Sequence, residues 1–295
     1  MNIVAGRPPR AGSVDYVDGR TRLFGIVGYP IEQARSPQTV TFELRRRAAN
    51  AILFPIMINP EDFDDVFPRL LRLGNLDGLV ITIPFKKRAI AHVQHVGPIG
   101  RITGAISVLG RSLDDGWTGE MFDGAGCVSA IRRRGVSLDG SRTLVLGAGG
   151  AGTAIAFEVA RQKPDILWLH DPDKDREETL AVGIRAAFPS LQLGFGKPSF
   201  DELDILINAS PVGMLDDDAC PIDVTRLPRH LVVMDAIMDP DRTKMLRIAE
   251  ESGCLAVYGR EMLDAQIEAA CDYMLSARQL QSNQFDQLIG PAGHD

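Results

Sequence analysis

The chain has 295 residues, 45% hydrophobic and 24% charged, an ordinary globular composition with room for two domains. A net charge of −7 argues against non-specific nucleic-acid binding and against an anionic membrane surface as partner. No apolar run reaches the length of a spanning helix, and residues 1–20 lack the apolar centre of a signal peptide. A cytoplasmic protein with a flexible tail over residues 1–20 is therefore expected. Cys127, Cys220, Cys254 and Cys271 form no C-x-x-C pair and fit reduced thiols, and the five histidines show no metal-ligand spacing, so no metal is expected.

In chain order, Arg22–Gly28 (RLFGIVG) has the apolar run of a first strand. A helix over 37–49 follows, with Val40, Leu44 and Ala48 on one face. A second strand covers 52–58. A helix over 60–73 turns Phe63, Val66, Phe67, Leu70 and Leu71 inward. A third strand spans 78–83, and Pro84-Phe85-Lys86 leads into a helix reaching about residue 96. Strands alternating with helices predict a parallel α/β sheet, to which short runs at 105–109 and 116–118 add edge strands.

A second α/β unit starts near Asp123 with a helix over 124–134. Strands follow at 143–146, 166–169, 191–194, 205–208 and 231–236, with one more closing at Tyr258. A long helix from Glu261 to about residue 280 carries Met262, Ala265, Ile267, Ala269, Ala270 and Met274, and its apolar face suggests a return to the first unit. The last fifteen residues are polar and are expected to fray. The expected division is thus a substrate-binding unit of residues 21–122 plus 259–295 and a Rossmann-type nucleotide unit of residues 123–258.

The nucleotide reading rests on residues 143–171. Gly147, Gly149 and Gly152 stand at G-x-G-x-x-G spacing, with Gly150 and Ala151 between them, after a strand and before an alanine-rich helix. Gly147 permits the tight turn, Gly149 lets a pyrophosphate approach the backbone, and Gly152 lets helix and strand pack. The helix N-terminus offers free N–H groups to the phosphates. Asp171 ends the next strand, where a carboxylate can accept from a ribose 2′-hydroxyl and repel a 2′-phosphate. The segment Asp171-Pro172-Asp173 is acidic where an NADP site would place an Arg, and Lys174 and Arg176 fall on the following helix. NAD is the expected cofactor, with NADP the alternative. Asp171 could otherwise be a turn residue before Pro172.

Two further residues look chemical. Lys86 follows the third strand at its C-terminal end, where open α/β sheets bind ligands. It can hold a substrate oxygen and move a proton, or it can be a solvated lysine as Lys87 is expected to be. Asp123 precedes a helix at the junction of the two units, and as a bare acid it could be an N-cap.

These pieces together resemble the shikimate dehydrogenase family, including its quinate/shikimate branch, from about residue 23 to 279. Residues 28–37 (GYPIEQARSP) resemble the family loop G-x-P-I-x-H-S-x-S-P, and 82–86 (TIPFK) the end of N-V-T-x-P-F-K. Residues 105–109 (AISVL) stand for A-V-N-T-L, and 119–124 (GEMFDG) for G-x-N-T-D-G. Residues 147–151 (GAGGA), 208–214 (NASPVGM) and 259–266 (GREMLDAQ) match the cofactor loop, the nicotinamide segment and the closing helix. The resemblance implies that Lys86 and Asp123 are the catalytic pair, and that Ser36, Thr82, Ser107 and Gln266 bind substrate. It implies that Asn208, Ser210, Met214 and Gly259 join the glycine loop and Asp171 around the cofactor.

The departures from the family pattern are Ala34 for a carboxylate-binding serine, Ser107 for asparagine, Met121-Phe122 for Asn-Thr, and Met238 for a tyrosine. Each removes or shortens a polar group, and an unfilled hydrogen bond costs roughly 1–3 kcal/mol. An apolar pocket wall of Ala34, Met121, Phe122 and Met238 suits a ring less hydroxylated or bulkier than shikimate. The implied activity is a dehydrogenase of such a cyclic hydroxy-carboxylate, by a monomer or homodimer. Ordinary shikimate dehydrogenase of aromatic amino-acid biosynthesis is one alternative. A nucleotide-binding sensor that lost turnover is another, and retention of Lys86, Asp123 and Gln266 argues against it.

Overall fold

The computed structural model describes residues 17–32, 34, 36–112, 116–214, 220–223 and 225–277. The expected tail up to residue 16 and the polar last fifteen residues lie outside them. The end of that tail is tied down, because Asp18 accepts from the Arg20 N–H at 2.9 Å and from Asn50 Nδ2 at 3.1 Å.

The first half contains β1 (Arg22–Gly28), α1 (Ser36–Arg46), β2 (Ala51–Met57), α2 (Phe63–Leu70) and β3 (Leu76–Ile81). It continues with a 3₁₀ turn at Ala89–His92, then β4 (His95–Val96), α3 (Pro98–Thr103), β5 (Val108–Arg111) and β6 (Trp117–Glu120). The second half runs α4 (Asp123–Arg133), β7 (Arg142–Leu146), α5 (Gly150–Arg161), β8 (Ile166–His170), α6 (Lys174–Ala187), β9 (Leu193–Phe195) and β10 (Ile205–Asn208). It ends with β11 (Val232–Asp235), α7 (Lys244–Glu251), β12 (Leu255–Val257) and α8 (Gly259–Ala277).

The second sheet has the order β12-β11-β10-β7-β8-β9, and every pairing in it is parallel. Its central strand β7 is apolar and buried, as a strand covered by helices on both faces must be. The first sheet has the order β2-β1-β3-β5-β6-β4 and is mixed. β1 pairs in parallel with β2 and β3, but β3–β5 and β5–β6 are antiparallel. The expectation of a parallel first sheet with edge strands near 105–118 is thus corrected. The link from β5 to β6 is too short for a parallel crossover, which needs a dozen residues or more. β4 takes the edge instead.

Other expectations shift for local reasons. The helix anticipated up to residue 96 is a single 3₁₀ turn, because Val93 goes extended at φ −111° and ψ 148°. Ala48 adopts φ 59°, so α1 stops before it and Ala48 does not share a face with Val40 and Leu44. In α2 the buried stripe is Phe63, Phe67 and Leu71, which leaves Val66 40% exposed rather than inward.

The last helix does return to the first sheet. Ile267, Ala270, Cys271, Tyr273 and Met274 of α8 share a core with Phe24, Ile26 and Val108. α8 also packs on α4, and α4 packs on α5. Two glycines allow that double contact. A Cβ at Gly124 would lie 2.2 Å from the Ala154 carbonyl oxygen, and one at Gly126 would lie 2.7 Å from that of Met262. Both obstacles are backbone atoms, which cannot rotate away. Among the described residues no helix is long and apolar enough to cross a membrane.

Gly124→Ala should therefore push α4 off α5. Overpacking of this kind costs about 1–3 kcal/mol, so the thermal midpoint followed by circular dichroism should fall by several degrees. An unchanged midpoint would show that the helix pair has slack.

Candidate functional site

Three residues far apart in sequence meet at the junction. Lys86 lies in the loop after β3, Asp123 is the first residue of α4, and Gln266 is on α8. Lys86 Nζ donates to Asp123 Oδ2 at 2.7 Å, and Gln266 Nε2 donates to Asp123 Oδ1 at 3.0 Å. The Asp123 side chain is 6% exposed and that of Lys86 30%. A carboxylate this buried needs such partners, since desolvation of an unpaired charge is expensive.

The loops that carry the pair share one spacer, the segment leading into β5. The Ile106 N–H donates to the Lys86 carbonyl at 2.9 Å. Ser107 receives the Phe122 N–H on its Oγ at 2.8 Å, and its own carbonyl accepts the Ile81 N–H at 2.8 Å. Ser107 is only 1% exposed, so its hydroxyl is committed to the backbone just before Asp123. The asparagine-to-serine change had suggested a weakened substrate contact; the side chain instead holds a peptide group. Ser36 opens α1 and is buried, and Thr82 is half-buried with its N–H on the Val27 carbonyl at 3.0 Å.

The expected apolar pocket wall is also corrected. Met121 is 3% exposed and sits in a small core with Ala105 and Ala154. Phe122 packs edge-on against Tyr273, with ring centroids 5.2 Å apart. Both side chains therefore pack into core. Ala34 is half-buried against the core of the first sheet, and Met238 is 48% exposed after β11.

On the second sheet, the glycine turn follows β7. Gly147 has φ 100°, and a Cβ there would lie 2.9 Å from Ser210 N. A Cβ at Gly152 would lie 2.0 Å from the Gly147 carbonyl oxygen, so both positions demand glycine. The helix starts at Gly150, which places Gly150, Ala151 and Gly152 in its first turn. The N–H groups of a first turn have no partner within the helix and face outward from the N-cap, here Gly149.

Asp171 grips this turn. Its Oδ2 accepts the Ala148 N–H at 2.6 Å and its Oδ1 the Asp173 N–H at 2.9 Å. Asp173, which the sequence reading takes only as one of the acids of this segment, caps α6 by accepting from Asp175 N and Arg176 N at 3.1 and 3.2 Å. Its Oδ2 also lies 3.0 Å from Arg176 Nε. An acid followed by a helical run is a cap signal that could have found it. Beside it lies a cleft of ≈ 350 Å³ lined by Ala148, Thr153, Asp173, Arg176 and, from α3, Ile102 and Thr103.

Asn208 ends β10 and is fully buried. Its Oδ1 accepts from Ser210 N and Ser210 Oγ at 3.0 and 2.7 Å, and its Nδ2 donates to Asp235 Oδ1 at 3.1 Å. It therefore shapes the loop from within, while Met214 on that loop is 42% exposed. Gly259 opens α8 tight against the Ile237 carbonyl, 2.2 Å from where its Cβ would be. Asp235 and Glu120 are two buried acids that the sequence reading did not single out. Each is the one charged residue at the end of a short, buried strand, which is the available signal.

Comparison with known proteins now has a geometry to explain. The shikimate dehydrogenase substrate binding domain matches residues 26–109. The shikimate dehydrogenase (NADP(+)) of Methanothermobacter thermautotrophicus is 33% identical over 256 residues, covering 84% of this chain and 88% of that protein. The chain belongs to the shikimate dehydrogenase family. Solved structures share its fold. The Listeria monocytogenes shikimate 5-dehydrogenase, in complex with shikimate and NAD, superposes with a TM-score of 0.80 at 22% identity, over 93% of this chain and 98% of that one. The Corynebacterium glutamicum quinate dehydrogenase, in complex with NAD, gives 0.75 at 24% identity, over 86% and 93%.

Asp235 is a buried acid at the end of β11. It accepts from Asn208 Nδ2, from the Ile237 N–H at 3.1 Å and from Thr243 Oγ1 at 2.7 Å. Burial nevertheless raises its pKa above the ordinary 3.8, with those three bonds opposing the shift. The folded chain thus holds this proton more tightly than the unfolded chain. The stability it contributes is complete below 3.8 and is lost as pH rises through the raised folded value. The wild-type thermal midpoint, minus that of Asp235→Asn, should fall as pH increases across that window. A difference that grows instead would mean that the hydrogen bonds outweigh burial.

Proposed function

We propose that the chain is an NAD-preferring dehydrogenase that moves a hydride between nicotinamide and a ring hydroxyl of a cyclic hydroxy-carboxylate. The observation that carries this reading is the cluster of Lys86, Asp123 and Gln266, joined at 2.7 and 3.0 Å where the two halves meet. Residues 21–122 with 259–295 form the substrate half of this proposal, and 123–258 the nucleotide half. The glycine turn and the first turn of α5 fit a pyrophosphate, with Gly147, Gly149, Gly150, Ala151 and Gly152 around it and Ser210, Met214 and Gly259 toward the nicotinamide. The dinucleotide, when bound, takes up or gives the hydride.

The protein's own part is proton handling and orientation. An ammonium has three donors; the bond to Asp123 uses one, and a substrate oxygen can take another. When that oxygen develops negative charge, Lys86 stabilises it and supplies or receives the proton. Asp123 holds the ammonium in place through the 2.7 Å bond. Gln266 holds the second Asp123 oxygen with one amide hydrogen and can meet a ring hydroxyl with the rest of its amide. Ser36 takes the substrate carboxylate, and Thr82 lines the same pocket.

For the cofactor, the acids at 171 and 173 support NAD. A 2′-phosphate would face both carboxylates, and Arg176 already has Asp173 as its partner at 3.0 Å. The relative cited above carries NADP(+) in its name, so the preference is a property of these residues and not of the family. For the substrate, Ala34 and the exposed Met238 offer no hydrogen bond, and Ser107 spends its hydroxyl on Phe122. These features support quinate or a less hydroxylated ring acid over shikimate. Shikimate itself is the second reading, favoured by the 33% identical relative that bears its name.

Steady-state kinetics of the wild type with NAD and NADP, against shikimate, quinate and deoxygenated ring acids, test this directly. NAD should give the higher kcat/KM, and shikimate should show a high KM and slow turnover. Equal or better kcat/KM with NADP would overturn the reading of Asp171 and Asp173. Fast turnover of shikimate at low KM would show that the pocket changes are harmless.

Lys86→Ala should lower kcat by about 10²–10⁴-fold, the usual contribution of a placed proton donor. NAD affinity by fluorescence titration should stay near wild type, because Lys86 lies on the substrate half. Near-normal kcat on the best substrate would remove the mechanism.

A further inference from the structure

We infer that Glu120 is a positioning residue for Asp123, an inference that rests on the catalytic reading of Asp123. Glu120 ends β6 and is 2% exposed. Its Oε1 accepts two backbone N–H groups, from Gly100 in the first turn of α3 at 2.6 Å and from Met121 at 2.7 Å. Its own carbonyl accepts the Ser107 N–H at 2.9 Å, and Ser107 Oγ in turn receives the Phe122 N–H at 2.8 Å. The two peptide groups between the end of β6 and Asp123 therefore both have their N–H held by side chains. The carboxylate of Glu120 holds the first and the hydroxyl of Ser107 holds the second.

This matters because the chain changes there from strand to helix within three residues. Phe122, the N-cap of α4, has φ −103° and ψ 0°, and it makes no side-chain cap of its own. The direction in which Asp123 leaves the strand is consequently set from outside, by acceptors on Ser107, just ahead of β5, and on Glu120 of β6, whose carboxylate is tied to α3 through the Gly100 N–H. Burying the carboxylate is costly: desolvation raises its pKa, while the N–H groups of Met121, Gly100 and Ile99 and the charge of Arg101 oppose the rise. Oε2 is buried without a well-formed hydrogen bond. A helix cap alone would not need so buried an acid, since an exposed Ser, Thr or Asp serves that purpose. What the buried position adds is one oxygen shared between α3 and the Met121 peptide. α3 also packs on α5, so the same oxygen relates the Asp123 backbone to the nucleotide helix.

The test uses Glu120→Gln, Glu120→Asp and Glu120→Ala in the wild-type and in the Asp123→Asn background. Gln keeps an acceptor at the same reach, so kcat should stay within about threefold. Asp is one methylene short of reaching both N–H groups, and Ala has no acceptor. Both should lose about 10–100-fold in kcat, the scale of a misplaced catalytic group. KM for NAD and its titrated affinity should stay within about twofold of wild type, since the glycine turn is untouched. In the Asp123→Asn background the same changes should cost little more, because their effect passes through the carboxylate already removed. Where Glu120→Ala does not fold, Glu120→Asp carries the same comparison. Wild-type kcat in Glu120→Asp, an equal loss in both backgrounds, or a loss that follows NAD affinity overturns the inference. Wild-type kcat in Asp123→Asn alone overturns the catalytic reading of Asp123, and this inference with it.

Discussion

A nearly buried carboxylate at residue 123 constrains the rest of this structure. Both of its oxygens are taken, one by Lys86 and one by Gln266. Removing either partner would leave charge or acceptor capacity unpaired in a protein interior, which is strongly destabilising when charge is involved. The three residues come from a loop of the first sheet, the first residue of α4 and the middle of α8. They can meet only if α4 sits close to α8, and the nucleotide helix is in line only if α4 sits close to α5. Gly124 and Gly126, on either side of Ala125, allow these two approaches. Helix packing and catalytic geometry are thus one problem with one solution.

A second device recurs at the ligand end of the strands. Glu120 closes β6, Asp235 closes β11, Asn208 closes β10, and Asp171 follows β8 directly. In each case the strand-end side chain accepts a backbone N–H from the turn or loop beyond. Glu120 takes Met121, Asp235 takes Ile237, Asn208 takes Ser210, and Asp171 takes Asp173 and Ala148. Loops at the carboxyl end of a parallel sheet have backbone groups that no strand neighbour satisfies. A short side chain at the strand end supplies the acceptor and fixes the loop conformation together. The burial cost shows in the raised pKa of Glu120 and Asp235.

What could be read from the sequence follows from which signals are local. The G-x-G-x-x-G turn was legible because each glycine answers a steric demand within a few residues, and the structure shows those demands at Gly147 and Gly152. The Lys86 loop, Asp123 and Gln266 were legible as motifs, though only the fold shows them bonded to one another. The antiparallel β5–β6 pair was missed because alternation of strands and helices speaks to the general architecture and not to one short connection. Met121 and Phe122 were read as pocket wall, since an apolar residue next to a catalytic acid gives no sign of which side it faces. In the structure Met121 fills a core with Ala154, and Phe122 lies on Tyr273. The strand-end signal at Glu120 is weak for the converse reason: an acid in a sequence looks solvated until burial and two N–H donors are known.

The separation between the catalytic cluster and the substrate periphery explains how family chemistry and substrate choice can part company. The bonds that hold Asp123 run to Lys86 and Gln266, and the bonds that aim its backbone run through Ser107 and Glu120. None of them involves Ala34 or Met238. A serine at position 34 or a tyrosine at 238 can therefore be absent without loosening the proton-handling group, and the cost appears only when a substrate hydroxyl or carboxylate arrives to find no partner. A site built to bond a polar group rejects an analogue lacking it far more strongly than an apolar site rejects one that has it. On the proposed reading, a pocket without these groups accepts a ring that lacks the matching hydroxyls, while shikimate loses hydrogen bonds there. Ser107 fits that reading: its buried hydroxyl accepts the Phe122 N–H at 2.8 Å, so its bond runs to the segment before Asp123 and not to the pocket rim.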